Sequence, residues 1–176
     1  MPRGSQRFGA SLARILDATP DLVGAADRDY RAVYMNCGGR RLLGVGEHEE
    51  VTGADVLAFY PPDDARLIAT VAFPTALATG SWAGDVVLVS RDGRQIPVHQ
   101  IILTFESETG EKLFTTFARD IGLRKAREVR LAESEERFRS TFEQAAVGIA
   151  QLAIDGRFLW FNAKLCAILE ETRQEL

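Results

Sequence analysis

Two stretches of the chain, YRAVYMNCGGRRLLG at Tyr30–Gly44 and FLWFNAKLCAILEETRQEL at Phe158–Leu176, spell one pattern: an apolar strand, an asparagine, and a short apolar helix. When the second is shifted back by 126 positions without gaps, Asn162 falls on Asn36, Asp155 on Asp29, Arg157 on Arg31 and Leu169 on Leu43. Trp160 then falls on Tyr34, Ile149 on Val23 and Phe142 on Leu16. Agreement of strand, turn, strand, asparagine and helix in one register marks an internal repeat. Any fold for this chain must therefore be able to begin with a hairpin followed by a capped helix.

The rest of the first copy extends that beginning. An amphipathic helix is expected from about Ser11 to Ala18, closed by Thr19-Pro20. LVGAAD and YRAVYM read as two strands joined at Arg28-Asp29, after which Asn36 caps a helix and Gly44 stops it. Val51 to Gly80 is irregular and helical, and Pro74 should end or kink its last helix because proline lacks the N–H and crowds the preceding turn. WAGDVVLVS and QIPVHQIILTF flank RDGR, where Asp92-Gly93 suits a tight hairpin. KLFTTFARD is a further strand, and IGLRKAREVRLAESEERFRSTFEQ is a single long helix. Strands at both ends of a helical insert predict an α+β fold with helices on one face of an antiparallel sheet.

Bulk properties remove several functions. With 21 basic and 25 acidic residues the net charge is −4, so no basic field draws nucleic acid. No apolar run is long enough to span a bilayer. Two separated cysteines, Cys37 and Cys166, build neither a disulfide framework nor a metal spacing, which makes a reducing cytoplasm the default location.

With this layout the chain resembles the PAS family of sensor domains. The residues that carry the resemblance are YMN before the short helix, PPDDARL opening a later one, GSWAGDVVLVSRDGRQIPV in the hairpin, and above all FARDIGLRKAREVRLAESEERFR. The last is similar to the family's exit motif, which joins tandem copies. The resemblance implies a five-stranded antiparallel sheet with helices on one face and a long C-terminal signalling helix. Residues 1–10 would be a flexible N-terminus, 11–120 the PAS domain, 121–142 a helical linker able to form a short coiled coil, and 143–176 the start of a second PAS domain. On that reading the chain is a piece of a longer protein, whose output domain, of histidine kinase or diguanylate cyclase type, lies elsewhere. A lone hairpin is marginal in water, so Ala145 to Leu176 should be mobile, or ordered only by packing on another chain.

The resemblance also implies where function would lie. Arg119, Asp120 and Ile121 stand where the last strand becomes the exit helix. Asp120 is either a plain helix cap or the joint through which the sheet acts on the helix. Its capping box is incomplete, because Gly122 and Leu123 hold positions where the family motif carries Thr and an acidic residue. A pocket between sheet and helices would be lined by Met35, Leu57, Phe59, Tyr60, Leu67, Val71, Leu88 and Phe117, with Tyr60 and Trp82 as polar tips; a filled core is the alternative. A buried polar group without a partner would favour a ligand. Asn36, Asp92 and Gly93 are structural.

Other chemistries have little support. Cys37 follows a strand and precedes Gly38-Gly39, unlike the cysteine of the family's flavin-binding light sensors. His48 and His99 are not placed to ligate haem, and no metal cluster, phosphate loop or nucleophile motif is present. The expected protein is thus not itself an enzyme, and its cofactor, if any, is unspecified. It either binds a small ligand and relays the state to the output domain, or acts as a dimerisation spacer. A homodimer would form through the N-terminal and linker helices.

Overall fold

The computed structural model describes residues 14–106 and 110–170. The expectations for the first ten residues, and for most of the N-terminal helix, lie outside them. Residues 14–18 are helical (α1) and lead into β1 (Leu22–Ala26) and β2 (Ala32–Met35). Helix α2 (Cys37–Leu43) follows, then a 3-10 turn at Val56–Phe59, α3 (Pro62–Leu67), a wide π segment at Ile68–Ala72, and α4 (Phe73–Thr79). Strands β3 (Ser81–Val89), β4 (Gln95–Glu106) and β5 (Lys112–Asp120) precede α5 (Gly122–Gln144). Strands β6 (Ala150–Leu152) and β7 (Phe158–Phe161) and helix α6 (Ala163–Leu169) come last.

The first five strands form one antiparallel sheet in the order β2-β1-β5-β4-β3. Its inner face is set by alternation along β4, where Ile96, Val98, Gln100 and Ile102 are buried and the residues between them are more exposed. Ile68, Ala72 and Ala76 cover this face, recurring every fourth residue along the α3–α4 run. Phe73 stacks between Tyr30 and Phe114, with ring centroids 4.9 and 4.4 Å away.

Of the two outcomes expected at Pro74, an end or a kink, the helix does not end. The helical run continues from Pro62 to Thr79, and the wide turn just before Pro74 removes the tight α-turn its ring would clash with. The β3–β4 turn is as anticipated. Gly93 has φ 82°, and the Asp92 carboxylate accepts from the Ser90 hydroxyl and from Arg94 N–H. The Ser90 bond comes first among the causes that lower the Asp92 pKa.

The chain divides into two compact units, Met1–Leu123 and Arg124–Leu176. In the second, β6 and β7 pair antiparallel, and Trp160 packs on Phe138 and Phe142 of α5 at centroid distances of 6.1 and 6.2 Å. These aromatic contacts join the hairpin to α5 within the unit.

Candidate functional site

Small residues on the first hairpin make room inside the first unit. Gly24 and Ala26 on β1 and Ala32 on β2 face Phe59, Phe73 and Phe114 across a cavity of about 50 Å³. That is space for one or two water-sized groups. Its wall is mostly apolar, with Tyr34 on β2 and one bonded group of polar side chains. Gln100 on β4 is 2% exposed, and its Nε2 donates to Tyr60 Oη at 2.8 Å and to Thr116 Oγ1 at 2.7 Å. Tyr60 Oη in turn donates to Gln100 Oε1 at 3.1 Å. A buried amide so held costs little, whereas one left unpaired would be expensive.

Burial pushes the Tyr60 phenol up to about 12 from an ordinary 10.0, with the Gln100 hydrogen bond opposing it. The folded state therefore favours the neutral phenol. The stability this provides is complete below about pH 10 and is lost as pH rises through about 12. A phenolate absorbance titration should show one tyrosine ionising near that higher value, and Tyr60→Phe should remove that step.

The sequence-derived positions divide. Met35, Phe59, Tyr60 and Leu88 line the cavity. Leu57 and Leu67 pack on the core without reaching it, and Trp82 packs at its edge. Val71 and Phe117 are corrections, being 45% and 37% exposed. Phe114 and Phe117 are three apart on one strand, so alternation lets only one face the core, and Phe114 takes that place. Val71 lies off the face defined by Ile68, Ala72 and Ala76. Gln100 and Thr116 were missed, although Gln100 shares the parity of Ile96, Val98 and Ile102, a pattern visible in QIPVHQIILTF.

Beyond the cavity, β5 runs straight into α5. Thr116 faces the cavity, and Asp120, four residues on, is about 13 Å further along the strand. Asp120 Oδ1 accepts from Gly122 N–H at 2.7 Å, so the carboxylate caps the start of the helix. Ile121 is 5% exposed, and its N–H donates to the Pro97 carbonyl at 2.9 Å. Arg119 holds Asp21, just ahead of β1, through Nε and Nη2 at 3.0 and 2.8 Å; the hydrogen bond, then the charge, raises the guanidinium pKa. A Cβ at Gly122 would stand 3.0 Å from Asp120 Oδ1, close against the oxygen that caps the helix.

The Tyr34 hydroxyl is buried with no hydrogen bond of acceptable geometry among the described residues. Burial and then the Asp17 carboxylate raise its pKa, and Tyr34 also lines the cavity. The Cys37 thiol is likewise raised, first by its hydrogen bond to Asp17. His99 Nδ1 lies 2.8 Å from Asp85 Oδ1 on the exposed side of the sheet. Among the described residues no cluster of His, Cys, Asp or Glu could hold a metal ion, and no helix is long and apolar enough to cross a membrane.

A family model described as PAS fold matches residues 16–126, more than half of the chain. The chain belongs to the PAS family. A second model, described as PAS domain, matches residues 136–176, the part that carries the repeat. The PAS fold is also found in solved structures. The PAS domain of a protein from Colwellia psychrerythraea is 20% identical, with a TM-score of 0.59 over 65% of this chain and 97% of that one. The PAS domain of an HTR-like protein from Haloarcula marismortui is 24% identical, with a TM-score of 0.56 over 68% and 96%. The N-terminal domain of a diguanylate cyclase with PAS/PAC sensor from Marinobacter aquaeolei is 16% identical, with a TM-score of 0.50 over 60% and 98%. A comparison with curated proteins finds no match.

Proposed function

We propose that this chain is a sensory module that binds a small ligand in the cavity at Gln100 and relays its state through Arg119, Asp120 and Ile121 into α5. The receiver would be an output domain of histidine kinase or diguanylate cyclase type. The observation that carries the reading is that one strand serves both ends. Thr116 of β5 accepts from the buried side-chain amide of Gln100 in the cavity wall, and the same strand ends in the carboxylate that caps α5. A ligand that takes over a bond of Gln100 would change the pairing of β5's inner face.

The test combines native mass and absorption of the purified chain with a thermal-shift screen of small neutral polar molecules. A compound that raises the melting temperature of the wild type, and loses at least about tenfold in affinity for Gln100→Leu, supports the reading; tenfold corresponds to one lost hydrogen bond to a buried group. Stabilisation that is unchanged by Gln100→Leu speaks against it.

A dimerisation spacer is favoured by a different observation. Ile101, Leu103, Phe105 and Phe117 expose apolar surface on the outer side of the sheet, and Leu123, Val129, Leu131 and Phe138 do so along α5. Sedimentation of the chain as a concentration-independent dimer, together with an empty ligand screen, would favour the spacer.

A further inference from the structure

The repeat extends to individual hydrogen bonds. Asn36 is fully buried, and its Oδ1 accepts from Val23 N–H at 2.9 Å and Gly39 N–H at 2.8 Å. Its Nδ2 donates to the carbonyls of Leu16 at 2.7 Å and Asp21 at 3.0 Å. Asn162, also fully buried, accepts from Ile149 N–H at 2.9 Å and Leu165 N–H at 3.0 Å. It donates to Phe142 at 2.9 Å and Val147 at 3.0 Å. Every partner is displaced by the same 126 positions. A carboxylate follows the same rule. Asp17 accepts from Cys37 N–H and Glu143 from Ala163 N–H, each at 3.0 Å. The strand irregularities at Ala25/Ala26 and Gln151/Leu152 correspond as well.

The two sets have one physical purpose. The last four carbonyls of a helix lack partners within it. In both copies such a carbonyl, on Leu16 or Phe142, is satisfied by the asparagine that also joins the first strand to the following helix. The acid one residue later, Asp17 or Glu143, caps that following helix. The helix leading into each copy is therefore bonded to its strand and its next helix by two side chains, at positions the sequence alignment shows only as Leu over Phe and Asp over Glu. In the first copy the leading helix is α1. In the second it is α5, the same helix that begins at the Asp120 cap.

We infer that Asn162 and Glu143 are positioning residues that make the last turn of α5, the β6–β7 hairpin and α6 open and close as one cooperative unit. The C-terminal end of α5 is then a part of the second copy, and it cannot shift without breaking bonds in the hairpin. This goes beyond the sensory reading and stands whether or not the cavity binds a ligand.

Hydrogen exchange on the intact 176-residue chain tests it. In Asn162→Ala, amides in the last turn of α5 and amides of residues 150–169 should gain exchange together, by about tenfold or more, since several buried partners are lost at once. Amides near the start of α5 should keep their rates. Glu143→Ala removes the bond to Ala163 and leaves the Asn162 side chain in place, so it should give a smaller, still parallel gain in both segments. The inference is overturned if either variant loosens the hairpin while the last turn of α5 keeps wild-type protection, if the reverse occurs, or if neither segment changes.

Discussion

Replacing Asn36 with alanine should destabilise the first unit by about 4 kcal/mol, a large part of an ordinary domain's total stability. The side chain makes four hydrogen bonds, and the N–H groups of Val23 and Gly39 are buried with it. Alanine leaves these buried groups without their partner, and each orphan costs about 1–3 kcal/mol. Asn36→Ser keeps an oxygen able to accept from the Gly39 N–H at the start of α2, so its loss should be smaller. Urea unfolding of the three proteins measures the order directly. Equal losses for Ala and Ser would mean that the side chain acts by filling space.

A second large effect is expected two residues further on, from the addition of a single methyl group. A Cβ at Gly38 would lie 2.4 Å from the Asp21 carbonyl oxygen, 2.6 Å from that of Thr19 and 3.0 Å from that of Pro20. All three obstacles are backbone, so α2 must move away from the segment before β1. The movement would strain the Asn36 bond to Asp21 and the Asp21 partnership with Arg119. Overpacking of this kind costs about 3 kcal/mol. At Gly39 the same methyl meets the Cγ atoms of Leu22 and Met35 at 2.9 Å and Asn36 Oδ1 at 3.2 Å, side-chain atoms that yield more readily than three backbone carbonyls. Gly38→Ala should therefore lower the melting temperature clearly more than Gly39→Ala. The opposite order would show that the turn at Thr19–Asp21 yields more easily than the core.

The contrast explains what could be read from the amino acids alone. Hairpin order, the Asn36 cap, the Asp92-Gly93 turn and the unbroken exit helix were all legible, because each follows from local chemistry within a few residues. The repeat was legible for the same reason. The cavity wall was less so. Its composition depends on strand parity, and β4 and β5 each carry adjacent or odd-spaced apolar residues, Ile101-Ile102-Leu103 and Phe114 with Phe117, that do not reveal which side is inside. Gln100 was the better marker, a polar residue on the buried parity. The wide turn before Pro74 and the left-handed Tyr30, φ 61°, are set by packing. The Tyr30 ring stacks on Phe73 and its hydroxyl donates to the Ala69 carbonyl within that wide turn. The second copy has Gly156 at the matching position, with φ 88°, so the backbone requirement is shared and only the first copy adds a ring.

The account as a whole depends on whether a change at the cavity reaches the helix that leaves the sheet. Site-resolved hydrogen exchange of wild type and Thr116→Val, which takes one partner from Gln100 with little change in shape, measures this. The prediction is a change of at least about fivefold at the first amides of α5, the lower end of ordinary coupling between sites. A change confined to β4, β5 and the turn bearing Tyr60, with the start of α5 exchanging as in the wild type, would contradict it.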